Sequence, residues 1–100
     1  MLVEFRTARL KRCYVRSATA VQEWGDKVAR RYIERINVLK KAKSAEDLYK
    51  IPSLAFHPLT GDQKGRHALT VIGRWRMVVS FQDDALTLVR VEEVTKHYGD

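Results

Sequence analysis

Cysteine occurs once in these 100 residues, at Cys13, so no internal disulfide can form. A lone thiol fits a reducing cytoplasm, and as a small hydrophobe it is expected in the core. Apolar runs are short: none approaches the roughly 20 residues that a membrane-spanning helix needs. The opening Met1-Leu-Val-Glu-Phe5 lacks the basic, apolar and small-residue order of a secretory leader and reads as a short edge strand. The three histidines, His57, His67 and His97, are dispersed, and none stands at zinc-ligand spacing from Cys13. There is no GxGxxG, no P-loop and no Ser–His–Asp order, which removes the usual marks of nucleotide binding and serine hydrolysis. No metal and no cofactor are expected. Repeats, low-complexity tracts and Gly/Ser linkers are also missing. One domain over residues 1–100 is therefore expected, with a modest core, since a chain this short buries only about 60–70% of its unfolded surface.

What the chain has is positive charge, unevenly placed. The formal balance is +7. Residues 1–50 carry 13 Lys/Arg against 6 Asp/Glu, whereas residues 51–100 carry 6 of each, so the whole excess sits in the first half. A basic half favours a polyanionic partner such as RNA, DNA or an acidic protein. A solvated helix surface would have the same composition.

Both prolines, Pro52 and Pro58, and the stretch Gly61 to Gly65 divide two kinds of sequence. The first is helical. Leu10, Cys13 and Tyr14 lie at helical spacing. Val21, Trp24, Val28, Tyr32, Ile36 and Leu39 then recur every three or four residues and form one apolar stripe. Gly25-Asp26 is a point where this helix could break or restart, because Asp is a good N-cap and Gly a poor interior residue. Lys40, Lys41 and Lys43 crowd the C-terminal end, where cations suit the helix dipole. Ser44-Ala-Glu-Asp47 resembles a capping box. The second kind is strand. His67 to Ile72 and Trp75 to Phe81 flank a hairpin signal at Gly73-Arg74, and Ala85 to Glu92 follows a turn at Asp83-Asp84. With the opening strand and a segment near Leu54 to His57, the expectation is α+β: a small, mostly antiparallel sheet of four or five strands with N-terminal helices packed on one face.

Period-2 alternation places Trp75, Met77, Val79 and Phe81 on the core face of their strand, and Arg76, Val78 and Ser80 on the other. Arg76 then stands either on a solvated sheet or in a concave site. The loop His57-Pro-Leu-Thr-Gly-Asp-Gln-Lys-Gly-Arg66 holds a histidine and three charges, and the chain closes with Glu93-Val-Thr-Lys-His97-Tyr98. Such residues suit RNA cleavage. A 2′-hydroxyl must lose a proton as it attacks the adjacent phosphate, the phosphate gains negative charge, and the 5′-oxygen must receive a proton. Histidine is the natural acid or base near neutrality. Arginine meets the growing charge, in a bidentate fashion where geometry allows, and tyrosine donates a proton or stacks on a base. Plainer readings stand beside these: His57 opening a turn, His97-Tyr98 a frayed tail, Asp62 stabilising its own Gly-rich turn.

Three segments taken in order resemble a known family. Phe56-His-Pro-Leu-Thr-Gly-Asp-Gln-Lys-Gly-Arg-His-Ala-Leu69, Ile72-Gly-Arg-Trp-Arg-Met77 and Val91-Glu-Glu-Val-Thr-Lys-His-Tyr98 are similar to the loop, hairpin and closing strand of HigB-type killer proteins in the RelE/ParE toxin superfamily. The specific match covers about residues 42–100. The N-terminal half agrees only as a strand followed by helices. The resemblance implies a type II toxin that enters the ribosomal A site, cuts mRNA without a cofactor, and is neutralised by a co-encoded HigA-like helix-turn-helix antitoxin. On matching positions Arg76 would stabilise the scissile phosphate, while His57, Lys64 and Arg66 would bind or activate the RNA backbone. The tail departs from the family. HigB-type proteins end in Asp-Tyr-His, whereas this chain has Lys96-His97-Tyr98. The sister toxin YoeB ends in His-Tyr, which makes His97 the favoured acid, Tyr98 its orienter or stacker, and Glu93 a candidate base. Lys27, Arg31 and Arg35 of the basic half would meet ribosomal RNA, and Arg74 would bind RNA or the ribosome. Two other readings share the fold: a ParE-like inhibitor of DNA gyrase, and a non-catalytic RNA- or protein-binding module.

Overall fold

The computed structural model describes residues 1–96, so His97 and Tyr98 lie outside the described residues. Strand β1, Leu2–Phe5, is followed by helices α1 (Ala8–Val15), α2 (Ser17–Trp24), α3 (Asp26–Lys41) and α4 (Ala45–Tyr49). A 3-10 turn at Pro52–Leu54 leads to β2 (His57–Pro58), and a second at Gly61–Gln63 leads to β3 (Arg66–Ile72), β4 (Trp75–Phe81) and β5 (Leu88–Lys96). The five strands form one sheet in the order β1-β5-β4-β3-β2. Neighbours from β2 to β5 are antiparallel. The α+β expectation holds, with one addition: β1 runs parallel to β5, pairing Leu2 with Leu88 and Phe5 with Val91. A parallel pair needs a long crossover, and here the intervening helices and strands supply it.

The helices start and stop where local chemistry dictates. Thr7 accepts the Leu10 N–H at 3.1 Å and caps α1. The apolar stripe does not run through one helix. It breaks at Gly25, whose φ of 84° and ψ of 168° suit glycine alone, so α2 and α3 meet at a corner. Asp26 opens α3 and Lys40 and Lys41 close it, both in the sense the helix dipole favours. The Ser44 side chain makes no capping bond. Asp47 instead accepts the Lys43 N–H at 2.9 Å, one residue before the cap, a variant of the expected box that holds the entering chain. Two strand boundaries also differ from expectation. Pro52 starts a 3-10 turn and Ala55 takes a left-handed φ of 47°, which postpones the strand to His57. Asp83 accepts the N–H groups of Thr87 and Leu88, each at 2.9 Å, and so draws residues 83–87 into a turn that delays β5 to Leu88.

The core lies between α3 and one face of the sheet. Tyr32, Ile36 and Leu39 of α3 are fully buried with Leu69, Val71, Met77, Val79, Val89 and Val91. Tyr32 donates its hydroxyl to the Leu10 carbonyl at 2.8 Å and ties α1 to α3. Burial lifts its phenol far above the ordinary range. Cys13 is wholly buried, as expected, and the same desolvation raises its thiol. No helix among the described residues is long and apolar enough to cross a membrane.

Candidate active-site cleft

The sheet face opposite the helices carries the polar side chains. Register fixes which ones. Arg76 of β4 stands opposite Thr70 of β3 and Thr95 of β5, and Val78 stands opposite Ala68 and Glu93. At the far edge His57 pairs with Ala68. These positions share the outer face, and the loop after β2 folds over it. The result is a cleft of about 180 Å³ lined by His57, Leu59, Gln63, Ala68, Arg76, Val78, Glu93 and Thr95. That is smaller than the roughly 300–1,000 Å³ typical of pockets that engulf a small molecule.

Three residues expected to act together do meet here: His57, Arg76 and Glu93. His57 is exposed, and its Nδ1 lies 2.8 Å from the Ala55 carbonyl. A backbone carbonyl can only accept, so Nδ1 carries a proton, and the tautomer this bond selects has its lone pair on Nε2. The left-handed turn at Ala55 aims that carbonyl. Arg76 is half-buried and donates through Nη1 to the carbonyls of Gly73 at 2.7 Å and Trp75 at 3.1 Å. One edge of its guanidinium is thereby anchored to the hairpin. Ala68 and Val78 form a buried apolar floor between the charged groups, which strengthens electrostatics at this spot.

The remaining expected residues are spread out. Lys64 and Arg74 are exposed in the loop and the β3–β4 hairpin, near the two ends of the cleft-bearing strands. Arg66 lies on the outer face opposite Ser80. Lys27, Arg31 and Arg35 belong to α3, across the sheet from the cleft. Of these, Arg35 does not fit a surface role. It is 9% exposed, and its Nε donates to the Thr70 carbonyl at 2.8 Å, so it straps α3 to β3. Burial and the neighbouring Arg31 lower its pKa, although guanidinium remains charged in proteins.

Sequence reasoning passed over Glu92 and Arg6. The β4–β5 register shifts between Val78 and Val79, so that Glu92 is an extra residue between Val91 and Glu93. This bulge leaves the Glu92 carboxylate on the outer face, where it is 5% exposed. It accepts the Ser80 hydroxyl. The Arg6 and Arg66 guanidiniums lie 3.7 and 3.8 Å from its Oε1. Thr95 and Gln63 were also missed. Thr95 could have been found by continuing the alternation two residues beyond Glu93.

A five-stranded mixed sheet with a parallel β1–β5 pair and helices on one face is a fold this chain shares with solved toxin structures. The chain superposes on YafQ from E. coli with a TM-score of 0.62 at 15% identity, covering 97% of each chain. It matches the YoeB/ParE toxin from Agrobacterium tumefaciens with a TM-score of 0.58 at 19% identity, over 98% of this chain and 100% of that one. In the E. coli DinJ–YafQ toxin–antitoxin complex it matches at a TM-score of 0.59 and 19% identity, over 97% and 96% of the two chains. No family model and no curated protein matches the sequence itself.

Proposed function

We propose that this protein is the toxin of a type II toxin–antitoxin pair and a ribosome-dependent endoribonuclease of the HigB type. The observation that carries this reading is the meeting of His57, Arg76 and Glu93 in one open cleft, on a fold shared with YafQ and YoeB/ParE toxins. In the proposed reaction the 2′-oxygen attacks the adjacent phosphorus, the 5′-oxygen leaves, and a 2′,3′-cyclic phosphate remains. His57 takes the 2′-hydroxyl proton on Nε2, with Glu93 as the second base candidate on the β5 side. The unanchored edge of the Arg76 guanidinium meets the charge that builds on the phosphate. Beyond Lys96, His97 is assigned the proton given to the 5′-oxygen, and Tyr98 the orientation or stacking of a base. Lys64, Arg66 and Arg74 would hold the RNA backbone at either end of the cleft, and Lys27 and Arg31 would face ribosomal RNA. The partner that silences it would be a co-encoded antitoxin, HigA-like by the motif resemblance.

The test is primer extension on mRNA after brief expression, with and without ribosomes, beside Arg76→Ala, His57→Ala and His97→Ala. Discrete cuts that require ribosomes, and a fall of about 10²–10³ for Arg76→Ala, are expected, in line with losing one group that stabilises transition-state charge. Growth arrest with intact mRNA and a DNA-damage response would transfer the protein to gyrase inhibition. Absence of both effects would leave a binding module.

A further inference from the structure

Beside the cleft, the outer face holds a second charged group, of which the reading above uses only Arg66. Ser80 stands four residues from Arg76 along β4, about 13 Å at the usual strand rise. Around Ser80 the sheet assembles Arg66 from β3, Glu92 from the β5 bulge and Arg6 from the end of β1. Arg6 Nε donates to the Glu92 carbonyl at 2.7 Å, which fixes the stem of that side chain. Arg66 Nη1 donates to Gln63 at 3.1 Å. Gln82 donates to the Ser80 oxygen at 2.9 Å, and that hydroxyl is spent on Glu92.

The exposures are unequal in an instructive way. The Glu92 side chain is 6% exposed, while those of Arg6 and Arg66 are 52% and 38% exposed. Each guanidinium lies 3.7–3.8 Å from the carboxylate, too long for a hydrogen bond, and its side chain stays partly exposed. Two cations on one face repel. A buried carboxylate between them holds them together without itself reaching the surface. What an incoming chain meets is therefore a pair of forked donors above a hidden anion, beside the part-exposed Arg90–Glu4 ion pair, closed at 3.0 Å.

We infer that Arg6 and Arg66, braced by Glu92, form a phosphate-binding subsite for the single-stranded RNA that runs on from the phosphate at Arg76. This rests on the nuclease reading of the cleft. It adds Arg6 as an RNA contact and gives Glu92 the part of a positioning residue. The subsite lies on the same face and along the same strand as Arg76, so a backbone laid across the sheet reaches both. Because the subsite grips a phosphate that does not react, it contributes equally to substrate and transition state, and its loss appears in KM and not in kcat.

Glu92 supplies a test whose sign is unusual. Simple electrostatics says that removing a negative charge from an RNA-binding face tightens binding. A brace says the opposite. Wild type, Arg6→Ala, Arg66→Ala and Glu92→Gln would be titrated with a fluorescent single-stranded RNA oligonucleotide across a salt series, and kcat and KM measured on programmed ribosomes. Arg6→Ala should raise Kd and KM about tenfold, leave kcat within about twofold, and reduce the log–log salt slope by about 0.7, the value for one phosphate contact on a single strand. Glu92→Gln should weaken RNA binding despite the added net positive charge, with its Tm reported alongside. An unchanged salt slope in Arg6→Ala, or tighter binding in Glu92→Gln, would overturn the subsite. A loss of kcat in Arg6→Ala at unchanged KM would overturn it as well, by moving Arg6 into the reaction. Salt-slope changes as expected in a wild type that cuts no RNA would sink the nuclease reading and leave the subsite standing. Cleavage with a normal slope in both arginine variants would do the reverse. Retention of an acidic peptide but of no RNA would assign the face to a protein partner and reject the proposal.

Discussion

His57 and His67 are ten residues apart and have opposite circumstances. His57 is exposed, with one ring nitrogen bonded to a carbonyl. His67 stacks on Phe56 with ring centroids 4.9 Å apart and meets Phe81 edge-on at 5.4 Å. Its Nδ1 is buried without a hydrogen-bond partner. Desolvation, and to a lesser degree the nearby His57, lowers its pKa below the ordinary 6.5. The neutral ring is therefore the one the fold prefers. As pH falls below about 6.5, the unfolded chain binds a proton that the folded one resists, so this contribution to stability is present above that value and is lost as pH drops through the folded pKa. His67→Phe should flatten the fall of Tm between pH 7.5 and 5.5 relative to wild type, as read by circular dichroism. An equal fall in both proteins would count against His67 as the group responsible. In the sequence the two histidines looked alike. What separates them is the alternation that starts at Arg66 and the aromatic neighbours brought from α4, from Phe56 just before β2, and from β4.

Between α2 and α3 a single glycine makes the corner. Gly25 has open space where a Cβ would stand, so a substitution there meets backbone strain and not a clash. Gly25→Ala should destabilise the fold by about 1–3 kcal/mol, the usual cost of a non-glycine residue in such a region, measured by urea unfolding with an unchanged m-value. The elements themselves were legible because their apolar periods, 3.6 for the helices and 2 for the strands, are local. The same local alternation put Arg76 and Val78 on the outer face. Local patterns failed where one side chain redirected the backbone, as Asp83 does to Thr87 and Leu88, or where the site depends on pairing at long range. No pattern within β5 reveals that Glu92 is the bulged residue. Nor does any reveal that β1 returns beside β5 to place Arg6 against it.

At the scale of the whole molecule, charge and cleft are on different sides. Most cations of the first half sit on the helices, while His57, Arg76 and Glu93 lie across the sheet. On the proposed reading, one layer docks on ribosomal RNA and the other handles the message. Association with ribosomes should then weaken steeply with salt through counterion release. Reversing Lys27 and Arg31 to Glu should lower ribosome occupancy in sedimentation at moderate salt, while cutting at saturating ribosome concentration stays near wild type. Salt-insensitive sedimentation, or a variant that binds normally and cannot cut, would contradict this division of labour.

The parallel pairing of β1 with β5 has a consequence in time. Arg6 and Glu92 are separated by 86 residues, so at synthesis rates of about 5–20 residues per second they first coexist some 4–17 s apart. Until β5 has emerged, the sheet has no partner for β1, no Glu93 in its cleft and no bulge. On the proposed reading, a growing chain thus passes through most of its own translation without the surface that would act on a message.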